Sequence, residues 1–267
     1  MKRTVLIFSV WLLLVAGVGG VALAAETPPL KVLVVTGGHG FEQAPFAQLF
    51  KDNPEITFTQ AEHGPTNATV YERDDLLSYD VVVLYDMPKT ITTAQQAKFL
   101  SLFDKGVGLV VLHHALVSYQ QWPEYERIIG GRYPEASGKA GAISAQVGYE
   151  HGVELPVIIM AANHPITAGL TNFTIHDEIY WGFRVGPDVT PLLTTSHPKS
   201  GKPLAWTRQE GKSRVVYVQL GHDHAAYENP SYRRLVAQSI RWAANQPGTA
   251  AGDSKPQRSA MAAPAVP

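Results

Sequence analysis

Five short, largely apolar runs punctuate the chain, at 31–36, 56–60, 80–85, 108–113 and 214–220. Runs of this length, rich in Val and bounded by Gly or polar residues, suit strands buried on both faces of a parallel sheet, since strict alternation is needed only where one face meets water. Between them, apolar positions recur at helical spacing over 44–51, 92–105, 124–129 and 232–244. Thr92 or Thr93 can cap the second of these, Gly106 stands just past its end, and Pro230 precedes the last. Strand and helix therefore alternate as in a doubly wound, mostly parallel α/β sheet with helices on both faces. The stretch 138–203 departs from this rhythm. Its β-like runs at 154–160 and 173–175, and its turns at Asn163-His164-Pro165 and His197-Pro198, predict an inserted strand and loop elaboration on the same core.

The two ends read differently from the middle. Lys2 and Arg3, an apolar run over 4–18 and Ala22-Leu23-Ala24 before Ala25 match a cleaved export signal, so residues 1–25 are expected to be removed and the protein to be periplasmic or secreted. Residues 247–267 are rich in Ala, Pro, Gly and Ser and predict a disordered tail, leaving 30–246 as one α/β domain. With no Cys, the chain has no disulfide framework, no thiolate nucleophile and no cysteine-based zinc site. The 22 basic and 23 acidic residues nearly cancel, which favours a small neutral ligand such as a carbohydrate over nucleic acid or a membrane surface.

Ligand crevices in open α/β sheets lie outside the carboxyl ends of the strands. Those ends carry Thr36-Gly37-Gly38-His39-Gly40, Asp86, His113-His114 and Gly221-His222-Asp223-His224, and the insertion adds His176-Asp177-Glu178. Of the 10 histidines, six stand in these clusters: His39, His113, His114, His176, His222 and His224. The glycines after the first strand lack dinucleotide spacing and no P-loop Lys follows, so no nucleotide is expected. His113-His114 occupy a strand-to-helix elbow without Ser or Cys, which argues against acyl-enzyme chemistry. Imidazole and carboxylate instead suit a divalent metal such as zinc, or general acid–base work. His39, His114, His222 and Glu178 are the candidates for catalysis and for holding a metal. Asp86, His113, Trp122, His176 and Tyr180 are the candidates for contacting substrate, with Asp223 helping to orient the set.

Taken in order, 34–41, 79–86, 108–115, Trp122-Pro123-Glu124-Tyr125, Asn163-His164-Pro165-Ile166, His176-Asp177-Glu178 and Gln219-Leu220-Gly221-His222-Asp223 resemble the ThuA-like, trehalose-utilisation family of the class I glutamine amidotransferase-like superfamily. The resemblance runs from Leu30 to Asn245. It implies a flavodoxin-like core whose elbow carries His where the amidotransferases carry Cys, and so no glutaminase activity. It also implies a place in disaccharide catabolism, beside oxidoreductases that make 3-keto sugars. The expectation is an exported protein acting on a disaccharide or keto-glycoside, as hydrolase, lyase or isomerase, through a His-rich pocket. The alternative is a carbohydrate-binding module without turnover.

Overall fold

The computed structural model describes residues 28–64, 66–134 and 146–245. The export signal expected over 1–25, the tail expected over 247–267 and part of the insertion lie outside the described residues. In chain order the elements are β1 (Leu30–Gly37), α1 (Gln43–Lys51), β2 (Ile56–Glu62), β3 (Val81–Asp86), α2 (Thr93–Lys105), β4 (Gly108–Leu112), α3 (Pro123–Ile129), β5 (Gly131–Arg132), β6 (Gly148–Ile159) and β7 (Phe173–Trp181). They continue with β8 (Arg184–Val185), β9 (Thr190–Thr194), β10 (Ala205–Glu210), β11 (Ser213–Val218), α4 (His224–Tyr227) and α5 (Pro230–Ala243).

Nine strands form one mixed sheet in the order β2-β1-β3-β4-β11-β10-β9-β6-β7, and β5 pairs with β8 apart from it. From β2 to β11 every pairing is parallel, as the unbroken apolar runs predict. Val32, Val34, Val81, Val83, Val110 and Val216 pack against α1 and α5. Leu33, Val35, Val82, Leu84, Leu109 and Val215 pack against α2 and α3. Each fully buried Val or Leu contributes about 1.5–3 kcal/mol, and a strand covered on both faces collects that at consecutive positions. Helix α2 starts where the sequence places it: Thr92 accepts from Gln95 N–H while the Gln95 side chain accepts from Thr92 N–H, and Gly106 ends the helix at φ 90°.

Beyond β11 the sheet turns antiparallel, through β10, β9, β6 and β7. This half is larger than the apolar pattern suggests. The run at 173–175 grows to Phe173–Trp181, so His176-Asp177-Glu178 lies within a strand. Its polar residues hide the strand because β7 borders a polar site. Only Ile158 and Ile159 of β6 pair with β9, and the rest of the β6–β7 hairpin is tied to the segment after β11 by Asp177. Strand order reverses between β1 and β3, the switch point outside which such sheets carry their sites.

Candidate functional site

At the end of β4 the chain turns sharply, and His113 takes φ 51°. A bulky residue in this conformation costs about 1–3 kcal/mol and persists only where its surroundings over-determine it. They do so here. His113 Nδ1 lies 2.6 Å from the Gln219 carbonyl, the His113 carbonyl accepts from Tyr217 OH at 3.2 Å, and the ring stacks on Tyr180 at 4.9 Å. Because a carbonyl only accepts, Nδ1 carries a proton, and Nε2 is the nitrogen turned toward the site. Nε2 lies 2.8 Å from Glu178 Oε2 and 2.9 Å from Tyr180 OH.

Side chains alternate along β7, so Ile175, Asp177 and Ile179 face the core while Glu178 and Tyr180 share the other side. Asp177 is buried and organises the neighbouring loop. Its carboxylate accepts from Gly221 N–H at 2.8 Å, His222 N–H at 2.9 Å and Glu178 N–H at 2.8 Å. From below, Tyr85 OH donates to the Gly221 carbonyl at 2.8 Å and Tyr227 OH to the His222 carbonyl at 3.0 Å. Gripped at both ends of its peptides, His222 presents Nδ1 3.4 Å from Glu178 Oε2.

Glu150 pairs with Ile179 and Val153 with Asp177, so two residues, His151 and Gly152, stand opposite Glu178 alone. Such a bulge re-aims side chains, and Gly152 at φ +68° supplies the backbone conformation it needs. His151 is tipped over the carboxylate, with Nδ1 3.1 Å from Oε1 and its ring 4.5 Å from that of His222. Its side chain is 56% exposed, against 6% for Glu178 and 0% for His113, so His151 forms the mouth of the site and His113 its floor.

Burial alone would raise the Glu178 carboxyl, but hydrogen bonds to His113 and His222 outweigh it and hold the group well below the usual carboxylate range. His222 is raised in return, chiefly by that hydrogen bond. Asp177 is raised by its burial, against the pull of its N–H partners. Among the described residues, the set of three or more groups whose donor atoms lie close enough to share a metal ion is His113, Glu178 and His222, each offering one atom within 4.8 Å of the others.

The structure thus joins two of the residues singled out for catalysis and metal holding, Glu178 and His222, to His113 and Tyr180, singled out for substrate contact. His39 and His114 stack on one another at 4.4 Å beside this cluster, with His114 5.6 Å from His113. Desolvation lowers both, His114 strongly. Three residues expected at the substrate lie outside this cluster. Asp86 is fully buried among His63, Tyr71 and Tyr119 on the α2 side, because β3 turns position 86 to the face opposite Tyr85. Trp122 packs against Phe99 and Tyr125 as core. His176 is exposed and pairs with Glu154 at 2.8 Å. Asp223 caps α4, accepting from Ala225 N–H, instead of orienting the cluster. Sequence reasoning passed over His151, whose signal was the adjoining Gly152 in an otherwise strand-like stretch, and the anchoring roles of Asp177 and Tyr85.

An open α/β sheet of flavodoxin-like form, with a strained histidine at its elbow and a His–Glu–His cluster over its strand ends, defines the class of protein. The family model described as ThuA, trehalose utilisation, matches residues 31–243, and the chain belongs to that family. Among solved structures it is similar to a ThuA-like protein from Parabacteroides merdae, at 21% identity and TM-score 0.69, covering 84% of this chain and 93% of that one. A ThuA-like protein from Bacteroides uniformis is similar at 21% identity and TM-score 0.59, over 84% and 95% of the two chains. A β-galactosidase from Rahnella sp. R3 shares the fold over 80% of this chain and 32% of its own, at 13% identity and TM-score 0.53. No curated protein matches the chain.

Proposed function

We propose that this chain is an exported enzyme that processes a disaccharide or keto-sugar, in keeping with its family's link to trehalose utilisation, with His113, His222 and Glu178 holding a divalent cation such as zinc. One observation carries the reading. Glu178 Oε2 stands 2.8 Å from His113 Nε2 and 3.4 Å from His222 Nδ1, while the other His113 nitrogen is committed as a donor to Gln219. Neutral imidazole at that nitrogen and carboxylate both only accept, so His113 Nε2 and Glu178 Oε2 belong together only with a positive charge between them, a proton or a bound cation. A donor set of two imidazoles and one carboxylate, leaving a coordination position open, is that of catalytic zinc sites.

A cation held there would polarise a sugar carbonyl or hydroxyl oxygen, or lower the pKa of a bound water. The chain's own residues supply the rest. Asp177, Tyr85 and Tyr227 hold the His222 backbone, Gln219 fixes the tautomer of His113, and Tyr180 OH is a donor at the inner wall. His151 stands where a ligand enters. The residues over 1–25 support export, and glutaminase activity has no nucleophile in a chain without Cys.

The test is metal content by mass spectrometry on untagged protein, with turnover measured on trehalose and its 3-keto derivative. About one ion per chain is expected, lost in His113→Ala and His222→Ala, with turnover lost alongside. Absence of metal after incubation with zinc and manganese sinks the cation. Sugar binding without turnover in the loaded wild type would make the chain a carbohydrate-binding module.

A further inference from the structure

His114 is 3% exposed; the Tyr85 carbonyl approaches one edge of its ring, but neither nitrogen makes a hydrogen bond of good geometry, and at least one has no polar partner at all. A neutral imidazole carries one donor and one acceptor, and leaving such a group buried and unpaired is destabilising. A deficit of this kind beside a functional cluster indicates a partner that arrives from outside. Tyr85 closes the ring from one side, edge-on at 4.3 Å, and His39 stacks over it at 4.4 Å.

The two covers differ. Tyr85 is buried and hydrogen-bonded to Gly221 and Tyr227. His39 is exposed, and its one hydrogen bond is local, from Nδ1 to the Gly40 carbonyl at 2.7 Å. The backbone before it is fixed: Met87 N–H donates to the Gly37 carbonyl, and Gly38, at φ +78°, packs so tightly that a Cβ there would lie 2.5 Å from the Met87 carbonyl oxygen. Around Gly40, in contrast, there is open space. The loop backbone before His39 is held, while the His39 side chain is tied only by its local hydrogen bond and its stacking on His114.

We propose that His114 is a ligand-binding residue and His39 its swinging cover: a hydroxyl or carbonyl oxygen of a sugar displaces the His39 ring and takes the hydrogen bond His114 lacks. The proposal rests on the preceding reading for the class of ligand alone and needs neither a cation nor turnover. In the free chain His39 shields an apolar ring face and an unmade hydrogen bond. In the complex the ligand makes that bond, next to the atoms presented by His113 and Glu178.

The test is carbethoxylation of histidines by diethylpyrocarbonate, followed residue by residue by mass spectrometry, on chelator-treated full chain. His114 is expected to react slowly in wild type and about tenfold faster in His39→Ala, the change for a cover closed nine-tenths of the time. Glycerol, glucose or trehalose at saturating concentration should slow it again. A His114 equally unreactive in His39→Ala, or indifferent to all three probes, overturns the proposal. As a second readout, His114→Leu should leave the free chain's Tm unchanged or raise it, and abolish the Tm gain from the sugar. A lower Tm in the free variant would show that His114 is bonded internally, which also overturns the proposal. Because no metal is present, loss of the cation reading leaves either outcome interpretable.

Discussion

Two clusters of histidine, carboxylate and tyrosine lie at neighbouring strand ends of this sheet, and they are built on opposite principles. On the α2 side, His63, Asp86, Tyr71 and Tyr119 are sealed, with the His63 and Asp86 side chains both at 0% exposure. Val70 N–H donates to His63 Nδ1 at 3.1 Å, which places the proton on Nε2, 3.3 Å from Asp86 Oδ2, and Tyr119 OH donates to the same oxygen at 3.3 Å. Donors meet acceptors, and only Oδ1 of Asp86 is left without a partner. At His113 and Glu178 a lone pair faces a carboxylate oxygen unless a proton lies between them, and the cluster opens outward through the half-exposed His151. Residue types barely distinguish the two. Complementarity does: the first cluster is nearly complete as it stands, whereas the second sets imidazole and carboxylate acceptors against one another unless a proton or a cation lies between them.

The largest effect expected from this contrast is on metal binding. Glu178→Gln should abolish it with only a small fall in the Tm of the chelator-treated chain, because the pull of His113 and His222 on the carboxylate is lost while its desolvation cost is relieved; calorimetry and metal analysis on one sample would decide this. A large fall in Tm instead would make the open cluster as structural as the sealed one. Asp86→Ala is the converse experiment. It leaves the His63 Nε2–H unpaired in the core and should cost about 1–3 kcal/mol in denaturant unfolding while leaving the metal stoichiometry of the folded fraction intact. Asp177→Asn tests whether the grip on the 221–222 peptides matters, because an amide nitrogen would face N–H groups that need an acceptor. Metal affinity should fall about 10–100-fold, the effect of losing a group that orients a ligand, read by competition with a chelating dye.

The smallest effect is a control outside both clusters. Hydrogen bonds from Arg184 and Arg132 hold the Glu126 carboxyl, at the foot of α3, below its ordinary value. A carboxyl lowered in the folded state stabilises it fully above the unfolded-state value, about 4.3, and progressively less as pH falls through the folded one. Glu126 is largely solvated, so the contribution should be below about 1 kcal/mol. Glu126→Gln should slightly flatten the acid limb of the stability curve and change metal binding not at all. A metal-binding defect in this variant would mean that the α3 region and the open cluster are coupled.

Much of the parallel half of the fold was legible because strands covered on both faces must be apolar throughout, and 31–36, 80–85 and 108–113 have that pattern. The Thr92 cap and the Gly106 stop were legible for the same kind of reason, since local backbone chemistry decides them. The strand ends rich in histidine were legible as a rim, but not which residues meet there. Asp86 and His113 look alike as polar residues closing apolar runs. One faces the α2 core, and the other is thrown into the site by a single residue at φ 51°. His151 and Glu178, 27 positions apart, face each other only because a bulge in one strand stands opposite a single residue of the next.

Periodicity, capping residues and turn glycines are local quantities, so the amino-acid sequence by itself determined the alternation of strand and helix, the two buried layers and the family. Long-range pairing is not local: the register of β6 on β7 and the approach of that hairpin to Gly221 and His222 depend on contacts between residues far apart in the chain, the latter 44 and 45 positions apart. Only the tertiary structure decided that His113, Glu178 and His222 form one site and His63 and Asp86 another.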